Sequence, residues 1–273
     1  MKLSTTTLGC LDWDLPTILE RLKAYGYDGV DFRGYRQELM IWKHPAFSTD
    51  IDRSAVLIRD AGLQVSCISS GIHLTHTEPE AVAARIEELE RTAEICAALD
   101  CRMIRVFGGR FKEDEMDRED AIKIAAESAT QLIERARRIA PVDILIETHD
   151  AWTSSKDLKA LLTRIGHDNV ACLWDTKHTY WSAAEAPSLT WKELRQWIRN
   201  THWKDALRHP ADGALVPTGD GVVPLAEAYD LMRAAGYDGW YTLEWEKQWH
   251  PEIAEPEVAF PRFVAFMRAL EAL

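Results

Sequence analysis

Eight short runs rich in apolar, β-branched and aromatic residues recur along the chain. They are KLSTTTLG (2–9), GVDFRG (29–34), LQVSCISSG (63–71), CRMIRVFGG (101–109), DILIETHD (143–150), VACLWDTKH (170–178), IRNTHWKD (198–205) and WYTLEWE (240–246). Their length and residue types predict strands. Between them the apolar spacing changes to the helical period. LPTILERLKAYG (15–26) carries Pro16 in its first turn. DRSAVLIRDAG, PEAVAARIEELERTAEICAALD, REDAIKIAAESATQLIERARRIA, LTWKELRQWIRN and PLAEAYDLMRAAG follow the same pattern, and SSKDLKALLTRIG opens on serine caps. The stretch WKHPAFST (42–49) fits neither period.

Strands that alternate with helices predict parallel βαβ units, because parallel neighbours need a crossover. Eight such units close into a (β/α)₈ TIM barrel of about 250 residues, and no linker-like composition break divides 1–273. A single α/β barrel domain is therefore expected. An open nucleotide-binding sheet would want GxGxxG after its first strand, and TTTLGCLDW lacks it. One joint is written twice: AYGYDGVDFRG (24–34) and AAGYDGWYTLEWE (234–246). In both, Gly26 or Gly236 stands where a helix needs a left-handed stop before the next strand.

Bulk properties narrow the function. The 273 residues are 47% hydrophobic and 28% charged, enough for a large core. A net charge of −12 disfavours nucleic-acid binding. The five cysteines form no CxxC and read as small core residues in a reducing compartment. The N-terminal segment has no apolar stretch suited to a signal peptide or membrane span. A cytoplasmic protein without membrane contact is expected.

Chemistry in such a barrel belongs at the C-terminal ends of the strands. There the last four runs end on Glu147, Asp175, His202 and Glu244. Three carboxylates converging without a cation would repel one another, and a divalent ion removes that cost. The oxygen-rich set suits Mn²⁺, Mg²⁺ or Co²⁺ and accommodates Zn²⁺. Taken singly, each residue also reads as a rim ion pair or a helix cap. Glu246 faces the same way as Glu244 along an extended strand, either supporting the site or already outside the mouth.

The motifs ILIE, WDTKH, HWKD, PTGDG and GYDGWYTLEWE, densest from 142 to 247, resemble the xylose-isomerase-like TIM-barrel superfamily of sugar isomerases and epimerases. The resemblance implies one divalent metal held by Glu147, Asp175, His202 and Glu244. It also implies that Glu147 and Glu244 form the acid/base pair, as in the ketose 3-epimerases of this group. His178 matches a histidine that contacts substrate oxygens, and Arg208, after HWKD, a substrate-binding arginine. A homodimer or homotetramer acting on a carbohydrate or sugar phosphate is expected on the same ground.

The implied reaction removes a proton alpha to a carbonyl through a metal-stabilised enediolate. Returning the proton elsewhere gives epimerisation or isomerisation. Losing a β-leaving group instead makes a lyase or dehydratase acting on keto-sugars or keto-inositols. An endonuclease IV-like phosphodiesterase is disfavoured by FGGR at strand four, which has no histidine, by a PADG loop without the Asp-x-His ligand pair that chemistry expects, and by the acidic charge. A catalytically silent scaffold would not need all four ligand-type residues.

Other residues near the rim keep two readings each. His73, with His76 nearby, is a substrate contact or a loop histidine. His149 touches substrate or orients a ligand. Lys204 lies beside the site or in a structural salt bridge. Arg33 ends strand two, and Arg105, inside strand four, needs a carboxylate or a substrate as partner. Trp13, Trp152, Trp181, Trp245 and Trp249 are sugar platforms, a lid or a subunit interface. EKQWHPEIAEPE folds over the site or a partner, and GGR (108–110) offers backbone amides to an anion.

Overall fold

A computed structural model describes residues 1–111, 116–208 and 213–273. All eight expected strands form: β1 (Lys2–Thr5), β2 (Gly29–Phe32), β3 (Gln64–His73), β4 (Met103–Phe107), β5 (Asp143–Glu147), β6 (Val170–Asp175), β7 (Ile198–Trp203) and β8 (Trp240–Leu243). They pair in parallel in one sheet, with β1 beside β8 and then in sequence back to β2. The seam between β1 and β2 is closed by Asp28 N donating to Leu3 O at 2.8 Å, and by Leu3 N donating to Asp28 Oδ2 at 2.8 Å. A single bridge, Thr6 to Asp31, continues the seam toward the mouth. The fold is thus the expected TIM barrel.

Alternation along the strands sorts the core into two layers. Ile144, Ile146, Cys172 and Trp174 face outward and join the large cluster beneath the helices. Leu145, Ala171 and Leu173 face inward with Met103 and fill the floor of the lumen. Two residues further along β5 and β6, the inward positions become Glu147 and Asp175. The lumen therefore turns from apolar to charged within one pleat. All five cysteines are free and buried, as expected of core residues.

Nine α-helices are present among the described residues: α1 (Leu15–Tyr25), α2 (Ile51–Ala61), α3 (Pro79–Ala98), α4 (Arg118–Ile139), α5 (Ser155–Ile165), α6 (Thr176–Ser182), α7 (Pro187–Leu194), α8 (Leu225–Ala234) and α9 (Pro256–Glu271). Two of them differ from the sequence expectation by their existence. Helix α6 follows β6 without a loop, and α9 continues through Pro261, an interior position where proline removes one backbone hydrogen bond. The helix expected over 189–200 stops at Leu194, because Ile198 and Asn200 pair with β6. No helix among the described residues is long and apolar enough to cross a membrane.

The repeated joint has a physical reason. Gly26 (φ 91°) and Gly236 (φ 72°) take the left-handed conformation that stops α1 and α8. The second glycine of each copy serves close approach instead. A Cβ on Gly29 would lie 2.7 Å from Trp240, and one on Gly239 would lie 2.8 Å from Arg199 O. The first joint is thus the seat for the residue that opens β8, which ties the two ends of the chain together.

Candidate metal centre

Glu147, Asp175, His202 and Glu244 converge at the C-terminal mouth. Each offers one ligand atom, and the four atoms lie within 4.8 Å of one another. All four residues are buried. His202 is the hub: its Nδ1 lies 3.2 Å from Glu147 Oε1 and 3.3 Å from Glu244 Oε1, and its Nε2 lies 3.4 Å from Asp31 Oδ2. Asp31 is fixed in turn by Ser69 Oγ, which donates to Oδ2 at 3.0 Å. Asp175 has two tasks. Its Oδ1 caps α6 by accepting from His178 N at 2.7 Å, and Oδ2 turns inward to Lys204 Nζ at 3.0 Å. Asp175 thus caps α6 and also faces the cluster.

Two cations brace the cluster. Arg105 Nε lies 3.3 Å from Glu147 Oε2, and its guanidinium covers the Phe107 ring at 4.0 Å. The buried Lys204 contacts Asp175, Glu244 and Glu246. Glu246 therefore supports the site through Lys204, and Arg105 finds the carboxylate that its place in an apolar run demanded.

Electrostatics divide the carboxylates. At Glu147, burial and Glu244 push the pKa up, but Arg105 and His202 outweigh them and bring it down to about 2. At Glu244, burial is likewise outweighed by Lys204 and His202, which hold the group well below the ordinary carboxylate range. Asp175 goes the other way: burial, only partly opposed by Lys204, pushes it up to about 6. Burial also works against the His202 imidazolium, but Glu244, Asp31 and Glu147 together hold it well above the ordinary value.

These features fit a divalent ion. Glu147 Oε2 and Asp175 Oδ2 are buried acceptors whose contacts among the described residues, to Arg105 and Lys204, are ion pairs without hydrogen-bond geometry. Among the described residues, the five carboxylates of Asp31, Glu147, Asp175, Glu244 and Glu246 are contacted by Arg105, Lys204 and His202, with His178 3.6 Å from Asp175 and His250 3.6 Å from Glu246 at the edge of the cluster. A proton on His202 occupies the electrostatic role that a metal ion would fill, and three carboxylates with one imidazole are a donor set for such an ion.

A wall of rings adjoins the centre. His73 stacks on His76 at 5.2 Å and on Phe107 at 4.9 Å; Phe107 meets His149 at 4.7 Å, and His149 meets His178 at 4.8 Å. Asp150 (φ 51°) fixes the wall from behind, 3.2 Å from His149 Nδ1, 3.9 Å from His73 Nδ1 and 2.7 Å from Arg110 Nε. His178 Nδ1 lies 3.2 Å from Thr148 O, so Nδ1 carries the hydrogen and Nε2 the lone pair. Burial, helped by Lys204, pushes His178 well below the ordinary value and keeps the ring neutral. Burial also takes His73 down to about 4. His73, His149 and His178 are thus brought to one side of the mouth. Arg208 is exposed beside residues 209–212, and no contact with the cluster is found for it among the described residues. Most of the PADG loop likewise lies outside the described residues.

Other expectations need correction. Trp152 and Trp245 are fully buried core residues, so neither is a sugar platform. A Cβ on Gly108 would lie 2.1 Å from Trp152, so this glycine of GGR is explained by packing. Trp249 remains half exposed. Asp31, Asp150 and Lys177 escaped the sequence reading. An acid in the apolar run GVDFRG was the available signal for Asp31, but period two alone does not say which face points inward.

A family model described as xylose isomerase-like TIM barrel matches residues 19–270. An inosose dehydratase from Lacticaseibacillus casei is 26% identical over 163 residues, covering 54% of this chain and 51% of that protein. The chain thus spans about half the length of this curated relative. A probable 3-DHS dehydratase from Bacillus anthracis superposes with a TM-score of 0.81 at 18% identity, over 98% of this chain and 99% of that one. The IolI protein with a bound zinc atom gives 0.79 at 17% identity, over 97% and 96%. A 3-keto-D-glucoside 4-epimerase from E. coli gives 0.78 at 17% identity, with both chains fully covered. At these identities the solved structures speak for the fold alone. With the family model covering nearly the whole barrel, this chain belongs to the xylose isomerase-like TIM barrel family.

Proposed function

We propose that the protein is a divalent-metal-dependent enzyme that removes a proton alpha to the carbonyl of a polyhydroxylated small molecule. The convergence of Glu147, Asp175, His202 and Glu244 within 4.8 Å carries this reading. Those four residues would hold the ion, which supplies Lewis-acid stabilisation of the oxyanion charge that develops as the proton leaves. The zinc in one structural neighbour is compatible with this donor set, as are Mn²⁺, Mg²⁺ and Co²⁺.

The protein groups divide the remaining work. Glu147 takes the proton from carbon, and the C–H electron pair moves toward the carbonyl. Arg105 holds Glu147 in place and keeps it ionised. Neutral His178 accepts a hydrogen bond from a substrate hydroxyl at its free Nε2. The ring wall of His73, Phe107 and His149 excludes water from one side of the mouth.

Two outcomes follow, and one contact bears on the choice between them. Epimerisation or isomerisation needs a second group to return the proton at another face or carbon, and Glu244 is that group. Its Oε2 is held by the buried Lys204. A β-elimination needs only one: Glu147 gives the proton it has taken to the departing hydroxyl, which leaves as water. The grip of Lys204 on Glu244 favours elimination, the chemistry named for the inosose and 3-DHS dehydratases. The epimerase reading is retained by the 4-epimerase likeness and by Glu244 Oε1, which faces His202.

Solvent deuterium incorporation over a panel of ketoses, keto-inositols and cyclic keto acids, with added Mn²⁺ or Zn²⁺, tests the proposal. Metal-dependent exchange or metal-dependent loss of water, either one abolished in Glu147→Gln, is expected. Product with one water fewer identifies elimination, and an isomeric product identifies epimerisation or isomerisation. Metal-independent exchange, or exchange that survives Glu147→Gln, refutes the reading.

A further inference from the structure

Charged side chains around the mouth are almost all paired: Arg105 with Glu147, Lys204 with three carboxylates, Arg110 with Asp150. Arg33 is different. It sits one residue past β2, two residues after Asp31, so it shares the inward face from which Asp31 reaches His202. Its backbone is pinned, because Arg33 N donates to Thr7 Oγ1 at 2.9 Å while Thr7 Oγ1 donates to Gly34 O at 2.6 Å. Yet its half-buried guanidinium has no hydrogen bond and no ion pair within 4.0 Å among the described residues.

The acids that act electrostatically on Arg33 are already engaged. Glu147 is taken by Arg105 and His202, Glu244 by Lys204 and His202, and Glu88 Oε1 by Gly71 N at 2.6 Å. Burial and the neighbouring Arg105 bring Arg33 down to about 10, so it stays charged at neutral pH. A partly desolvated guanidinium with five donors, no partner and a pinned backbone beneath it is arranged for a planar or tetrahedral oxyanion. A neutral hydroxyl would leave its charge unmatched once substrate excludes water. We propose that Arg33 receives an oxyanion of the substrate, a carboxylate or a phosphate, while the carbonyl end lies at the metal centre. This rests on the proposed function for the identity of the metal-centre end, and not for the anion site itself.

Lys177 is the rival anchor. It follows β6, on the opposite side of the eight-stranded ring, and also has no ion pair among the described residues.

Two measurements test the assignment. In the first, inorganic phosphate and malonate are titrated into the metal-loaded protein by calorimetry, alongside Arg33→Gln and Lys177→Gln. Binding that weakens at least tenfold in Arg33→Gln and less than threefold in Lys177→Gln is expected. The better of the two anions distinguishes a phosphate from a carboxylate. Equal weakening in both variants, loss only in Lys177→Gln, or no anion binding overturns the proposal. In the second, deuterium incorporation is compared across matched neutral and anionic carbonyl compounds. Preference for the anionic members is expected, with a rise in KM for them in Arg33→Gln at least ten times that for the neutral ones. A uniform change across both classes overturns it. Arg33-dependent anion binding without any exchange would leave the anion site standing while removing the proposed reaction.

Discussion

The two arcs of the barrel mouth are built from different chemistry. Strands β5 to β8 supply Glu147, Asp175, His202 and Glu244, the residues that would touch an ion. Strands β2 to β4 and the residue after β2 supply Asp31, Arg33 and Arg105, with Ser69 as an anchor; Asp31 and Arg105 brace members of the four-residue cluster, and Arg33 is the proposed contact for substrate. The difference teaches that a ring of equivalent strands becomes a site by division of labour. One arc concentrates negative charge, and the other orients it and leaves one cation unmatched.

The comparison breaks most severely at Glu147, where the two arcs meet through Arg105. Glu147→Gln removes a metal donor and the general base together, so deuterium exchange should fall by about 10³-fold. A loss below tenfold would place the base elsewhere. Lys204→Met comes next. It leaves the buried Asp175 and Glu244 and the partly exposed Glu246 without their shared cation, and the metal-free protein should lose about 3–5 kcal/mol in denaturant unfolding. Unchanged stability would mean that Lys204 is not a brace.

Asp31→Asn probes the orienting arc alone. Its carboxylate does not belong to the four-donor set, but it fixes His202, so metal affinity should drop by about 10–100-fold while one ion per chain still binds. Unaltered affinity would detach Asp31 from the centre. The mildest test is pH. The ion needs neutral His202, whereas the metal-free cluster holds that imidazole protonated well above its ordinary pKa. Metal binding should release a proton, and affinity should rise by up to about tenfold per pH unit until the raised pKa is passed. In the metal-free protein the same shift stabilises fully below about pH 6.5, the unfolded value, and that stability is lost as pH rises through the folded value. Thermal unfolding in chelator across this range checks the direction.

The convergence of the β5 to β8 arc was legible in the sequence because each of its strands ends an apolar run on an ionisable residue. The orienting arc was not. Asp31 lies within GVDFRG, and a four-residue strand has too few turns of the pleat to reveal which face is inward. The two glycine joints illustrate this: after Gly29 the inward residues are Asp31 and Arg33, whereas after Gly239 they are Thr242 and Glu244, one step out of phase. Helix α6 was hidden because its N-cap, Asp175, also ends β6. Helix α9 was hidden by Pro261, and Trp152 and Trp245 because loop positions conceal that their rings turn inward.

The most direct test is anomalous diffraction from crystals soaked in Mn²⁺ or Zn²⁺. One strong peak per chain is predicted, within about 2.0–2.4 Å of donor atoms from Glu147, Asp175, His202 and Glu244. A peak lodged instead among His73, His149 and Asp150, or no peak at the mouth, would contradict the account.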